Sequence, residues 1–211
     1  GDVFGVIVTS DSVVAVFENG LIRRLSLSSG AVIDSTLLEL SEPVVGRTPK
    51  IQAASLLHSN GYLIVPVSNE LWQKRGSIVA LDTNLDEVWR YDIPFGTGSP
   101  HAIHLAEGLD GNIIFHNKDD SGSDAGFVYS LNPNTGTKNW HATQNFSRVV
   151  KPVIAADGNI YGASSGTLFS MSHIDGSVLW SKSIAESGSD LVPIVLAPDS
   201  LGDGTPGSGG M

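Results

Sequence analysis

The 211-residue chain is 41% hydrophobic and 7% aromatic, with 24 glycines, 10 prolines, no cysteine and a net charge of −10. The charge argues against nucleic acid, whose backbone is held by lysine and arginine; the missing cysteine removes disulfides, thiolate metal sites and a cysteine nucleophile; and no apolar run approaches the roughly 18 residues of a membrane span. What remains is enough apolar content for a core and a turn-rich profile suited to an all-β chain.

The chain enters strand-like sequence almost at Gly1 and shows no signal peptide, as a segment cut from a longer precursor would. Residues 3–40 read as four short strands, FGVIVTS, SVVAVFE, LIRRLSL and AVIDSTLL, with the hairpin signal Asn19-Gly20 between the second and third. Residues 50–93 repeat the plan as KIQAASLL, YLIVPVS, GSIVALD and EVWRYDI, and residues 101–143 as HAIHLAE, NIIFHNK, GFVYSLN and TKNWHAT. The clearest copy is 150–184, where Asp157-Gly158 and Ser164-Ser165-Gly166 punctuate the strands and Phe169 and Met171 share one face by period two. LVPIVLA (191–197) repeats the first strand of a further copy, and 198–211 is a Gly/Ser/Pro-rich tail. A lone four-stranded meander cannot bury both faces, so these units need neighbours like themselves.

Aligned on the third strand, the copies make Leu25, Leu81, Leu131 and Met171 equivalent. Five residues later stand Gly30, Asp86, Gly136 and Gly176, at a turn position expected to favour positive φ. The fourth strands then align Trp89, Trp140 and Trp180, with Asp34 in the first copy. The expected architecture is a β-propeller with four blades of four-stranded antiparallel sheet.

The segments ALDTNLDEVW, SLNPNTGTKNW and SMSHIDGSVLW, each following a small-apolar strand and an Asp-Gly or Asn-Gly turn, resemble the repeat of the pyrroloquinoline-quinone-type (quinoprotein-like) β-propellers. The resemblance covers about residues 1–197. It implies that Trp89, Trp140 and Trp180 dock neighbouring blades, and that the four blades belong to a ring of seven or eight. The ring would be completed by further chain, a second chain or a second copy, since an open half-ring leaves sheet edges unprotected.

Two hairpins are longer than their counterparts, NELWQKR (69–75) and NKDDSGSDA (117–125), and in neighbouring blades they would emerge on one face. Trp72 beside Lys74 and Arg75 is the candidate contact surface for a protein or glycan, set against the plainer reading of a solvated hairpin. Asp119, Asp120 and Asp124 are oxygen donors that would suit Ca²⁺. Their spacing matches no EF-hand, and a solvated acidic hairpin is the competing reading.

Of the histidines, His101 and His104 fall on opposite faces of one strand, while His104 and His116 could face each other across adjacent strands, a poor zinc site as a pair alone. No G-x-S-x-G, H-E-x-x-H or Gly-rich phosphate loop occurs. The balance is against catalysis, with no catalytic residue and no cofactor assigned. The expected role is a non-catalytic scaffold in the cell envelope or outside the cell. The alternatives are a carbohydrate-binding propeller or a fragment of a quinone-dependent alcohol or sugar dehydrogenase. The resemblance implies for such dehydrogenases a vicinal cysteine pair and a Glu, Asn and Asp set around calcium, none of which can be matched here.

Overall fold

The computed structural model describes residues 2–39, 50–51, 54–67, 76–94, 104–118, 126–143, 151–164 and 166–184. Among them are four antiparallel meanders. The first holds β1 (Val3–Val8), β2 (Ser12–Phe17), β3 (Leu21–Ser26) and β4 (Val32–Leu37). The second holds β5 (Leu56–Leu57), β6 (Leu63–Val67), β7 (Ser77–Leu81) and β8 (Glu87–Asp92). The third holds β9 (His104–Glu107), β10 (Ile113–Lys118), β11 (Gly126–Leu131) and β12 (Lys138–Thr143). The fourth holds β13 (Val153–Ile154), β14 (Ile160–Ser164), β15 (Thr167–Met171) and β16 (Val178–Ser183). In every sheet spatial order follows chain order.

The sheets stack face to face, and period-two alternation assigns each side chain to one seam. Val14, Val16 and Ile22 of the first sheet meet Leu63, Val65, Val67, Val79 and Leu81 of the second. Ile64, Ile78 and Ala80, on the other face of that second sheet, meet Leu105, Ile113, Phe115, Tyr129 and Leu131 of the third. Ile114 and Val128 then turn to Ile160, Phe169 and Met171 of the fourth. A strand enclosed on both faces has no reason to alternate, and β6 and β7 are buried at every residue.

An indole closes two of the three seams. Trp89, 8% exposed, lies on the β11–β12 turn of the next sheet and donates Nε1–H to the Pro133 carbonyl at 2.8 Å. Gly136 forms the floor: a Cβ there would stand 2.5 Å from Trp89 Cε3. Trp140 repeats this one sheet on, with Nε1–H to the His173 carbonyl at 2.9 Å and Gly176 beneath, where a Cβ would come 2.6 Å from Cε3. Directly across from Trp89, Trp140 and Trp180 the partner strand carries only Ala80, Ser130 and Ser170, which leaves room for the ring. A register shift sits beside each of these pairs, so every fourth strand is bulged where its tryptophan projects.

The first seam is built differently. Asp34 holds the tryptophan position and Arg24 the small-residue position across from it, an exchange of bulk between paired strands. Their ion pair at 3.8 Å is half-open to solvent and contributes at most about 1 kcal/mol. The turn of the next sheet answers this change. Equivalence by hydrogen bonding matches Leu85, not Asp86, to Gly136: Leu85 has φ 64°, and Asp86 accepts from Asp82 N–H as Thr137 accepts from Asn132 N–H. The expectation that Asp86 takes the positive φ is therefore corrected by one residue. Leu85 is 4% exposed and belongs to the first-seam core. Left-handed backbone costs a leucine about 1–2 kcal/mol, whereas full burial of its side chain returns about 1.5–3 kcal/mol, so the strained turn is retained.

The seat can be separated from the turn by substitution. Gly30 and Gly136 share φ +68°, but a Cβ on Gly30 meets nothing within 4 Å. Gly30→Ala should therefore cost only the backbone term, about 1 kcal/mol, and Gly136→Ala a further 1–3 kcal/mol or so from overpacking. Equal losses in urea unfolding would show that no indole rests on Gly136. Tyr91, edge-on to Phe115 with ring centroids 6.4 Å apart, has its phenol pushed up to about 12 by burial and by neighbouring Tyr129. The folded value lies above the unfolded one, so Tyr91 contributes its full stability below about pH 10 and loses it as pH rises toward 12. Alkaline unfolding compared between wild type and Tyr91→Phe should show a shallower decline for the variant across that window.

Candidate interaction surface

Trp72, Lys74 and Arg75 lie outside the described residues, as do Asp119, Asp120 and Asp124. Asn117 and Lys118, the first two residues of the longer third-sheet segment, continue β10 and pair with Phe127 and Gly126. Among the described residues no group of three or more His, Asp or Glu could hold a metal ion. His104 and His116 pair across β9 and β10 with rings stacked 6.4 Å apart, while His101 is outside the described residues.

His58 is the polar group that the sequence did not single out. Buried at 3% exposure in the β5–β6 turn, it accepts from Asn60 N–H through Nδ1 and donates Nε2–H to the Gly111 carbonyl of the third sheet at 2.7 Å. Ser59 N–H to Glu107 and Asn60 to Asn134 reinforce the same junction. These turns thus fasten one sheet to the next.

Because the first seam lacks an indole, it keeps a cleft of about 310 Å³. Its floor is apolar, from Ile7, Val14, Leu63 and Leu85, and its rim carries Arg24, Asp11 and Asp82. Arg24 Nε is buried there without a hydrogen-bond acceptor. The Thr9 and Ser12 hydroxyls hold the Asp11 carboxyl below its ordinary 3.8, with a smaller contribution from the Arg24 charge.

The two outer faces of the stack are also exposed. On the face of the first sheet turned away from the second, Val6, Val8, Val32 and Leu37 are 52% exposed or more, as is Val3. On the outer face of the fourth sheet Trp180 is 43% exposed and stands edge-on to Tyr161, with ring centroids 5.9 Å apart.

Four meanders stacked through shared seams, with indoles between them, define a β-propeller. Residues 18–193 match a family profile described as outer membrane protein assembly factor BamB, of pyrroloquinoline-quinone repeat type, and the chain belongs to that family. No curated protein matches it by sequence. Among solved structures it is similar to BamB from Moraxella catarrhalis, with 18% identity and a TM-score of 0.57, covering 84% of this chain and 47% of that one. It is similar too to the quinohemoprotein alcohol dehydrogenase ADHIIG from Pseudomonas putida HK5, at 15% identity and TM-score 0.66, covering 86% and 34%. The computationally designed Ika8 protein matches at 13% identity and TM-score 0.64, covering 94% and 54%. The chain thus spans about half the length, or less, of the propellers it resembles.

Replacing Leu85 by glycine should remove turn strain of about 1–2 kcal/mol yet forfeit about 2–5 kcal/mol of packing. A net loss near 2 kcal/mol is expected in chemical denaturation, and a more stable variant would mean that Leu85 does not fill the first seam.

Proposed function

We propose that the chain is a non-catalytic propeller segment that acts as a protein-interaction scaffold in the cell envelope or outside the cell. The observation that carries this reading is the match of 18–193 to the BamB family together with the use made of the polar side chains at the described turns. His58, Asn60, Trp89 and Trp140 all bond to the adjacent sheet rather than converge on a common point. The partner face proposed is that of hairpins 69–75 and 117–125, with Trp72, Lys74 and Arg75 as its contacts. A glycan is the other ligand such a face would suit, and Asp119, Asp120 and Asp124 are the residues proposed for Ca²⁺.

A dehydrogenase fragment is the second reading, favoured by the likeness to the quinohemoprotein alcohol dehydrogenase. The lack of any cysteine in the sequence weighs against this reading. Incubation of the chain with the quinone and Ca²⁺, followed by gel filtration and absorbance, separates the readings. The scaffold reading expects no cofactor to co-elute, and a retained cofactor reducible by an alcohol or sugar would overturn it.

A further inference from the structure

The cleft of the first seam stands where the other two seams hold an indole. Three positions define such a seat: the small residue across from the tryptophan, the carbonyl that accepts its N–H, and the turn residue beneath the ring. Their counterparts in the first seam are Arg24, Thr83 and Leu85, and all three line the cleft. Asp34, in the tryptophan's place, sends no ring across, so about 310 Å³ stays open between two sheets that are otherwise packed together. That volume lies at the small end of the range for ligand sites.

The groups around the opening are acceptors. Asp11 takes the Thr9 and Ser12 hydroxyls on Oδ1, and Asp82 takes the Asn84 and Asp86 N–H groups on Oδ1, so Oδ2 of each carboxylate is left for a ligand. The hydroxyl bonds that hold Asp11 below its ordinary 3.8 keep it ionised well below neutral pH. No donor meets the Thr83 carbonyl among the described residues, whereas the carbonyls of Pro133 and His173 are each used by an indole. Arg24, the cation of the rim, is opposed by Asp34 at 3.8 Å and its Nε is buried, so it offers little to an anion.

We propose that the first-seam cleft binds a small organic cation: an ammonium at Asp11, Asp82 and Thr83, carried on an apolar body the size of one aromatic ring that lies over Leu63 and Leu85. Its N–H then takes the acceptor that the indole N–H takes in the neighbouring seams. A carboxylate of the same shape meets two like charges, and an uncharged ring leaves the acceptors to water. Selectivity for cations is therefore what separates this site from an apolar crevice that accepts any ring.

Calorimetric titration and amide NMR with phenethylamine and hydrocinnamate, one ring on arms of opposite charge, test this. The amine is expected to saturate below about 10 mM, to move the amide signals of Ile7 and Thr83, and to bind about 10-fold or more tighter than the acid. Asp11→Asn combined with Asp82→Asn keeps both Oδ1 acceptors and should weaken the amine about 5-fold or more without weakening the acid. Leu57→Trp, at an exposed position on the cleft wall, should fill the opening and abolish amine binding with the circular dichroism unchanged. Failure to saturate, equal affinity for amine and acid, shifts confined to residues away from the cleft, or amine binding untouched by either set of substitutions would each overturn the proposal.

Discussion

An indole laid flat on a backbone turn is the contact on which the architecture depends. A four-stranded meander has two apolar faces and too little mass to cover either, so its stability comes from the sheet beside it. The tryptophan makes that association specific. Its area drives burial, its N–H fixes the register of one sheet against the next, and its thickness requires a residue without Cβ at the far side. Ala80 and Ser130 behind the ring are parts of the same device, while the bulge at its root belongs to every sheet, the first included.

The first seam shows what happens without the ring. Asp34, Arg24 and Leu85 differ together from their counterparts, and the seam is closed by aliphatic packing instead, with a cleft left over. The substitution of Leu85 for glycine accepts backbone strain for burial, and the magnitudes favour burial. The ion pair between Arg24 and Asp34 lies within one sheet, and the polar contacts across this junction come from elsewhere, from Arg90 to the Glu39 carbonyl and from Ile51 N–H and Lys50 to Glu18.

Much of this was legible in the sequence because it is written several times. Period-two alternation in FSM and YSL, the turn dipeptides and the equivalence of Leu25, Leu81, Leu131 and Met171 fix four meanders without any coordinates. The seat was not read. Gly136 and Gly176 look like ordinary turn glycines, and the ring that requires them comes from a residue more than thirty positions earlier in the chain. A signal was available, since the copy lacking tryptophan is followed by the copy lacking glycine. The displacement from Asp86 to Leu85 has the same origin: polar turn propensity favours aspartate, and only burial across the seam explains a leucine with positive φ. His58 escaped notice because its acceptor, Gly111, belongs to another sheet.

In a linear array of units, resistance to unfolding is a sum over units and over the junctions between them, and the least secure junction decides where the array parts. The junction beside Leu85 has neither the indole hydrogen bond nor full packing. Pulling or mild denaturant would thus begin to part the described sheets between the first and second meanders. A seam that opens first is also where a foreign strand or side chain could wedge in without dismantling the remainder.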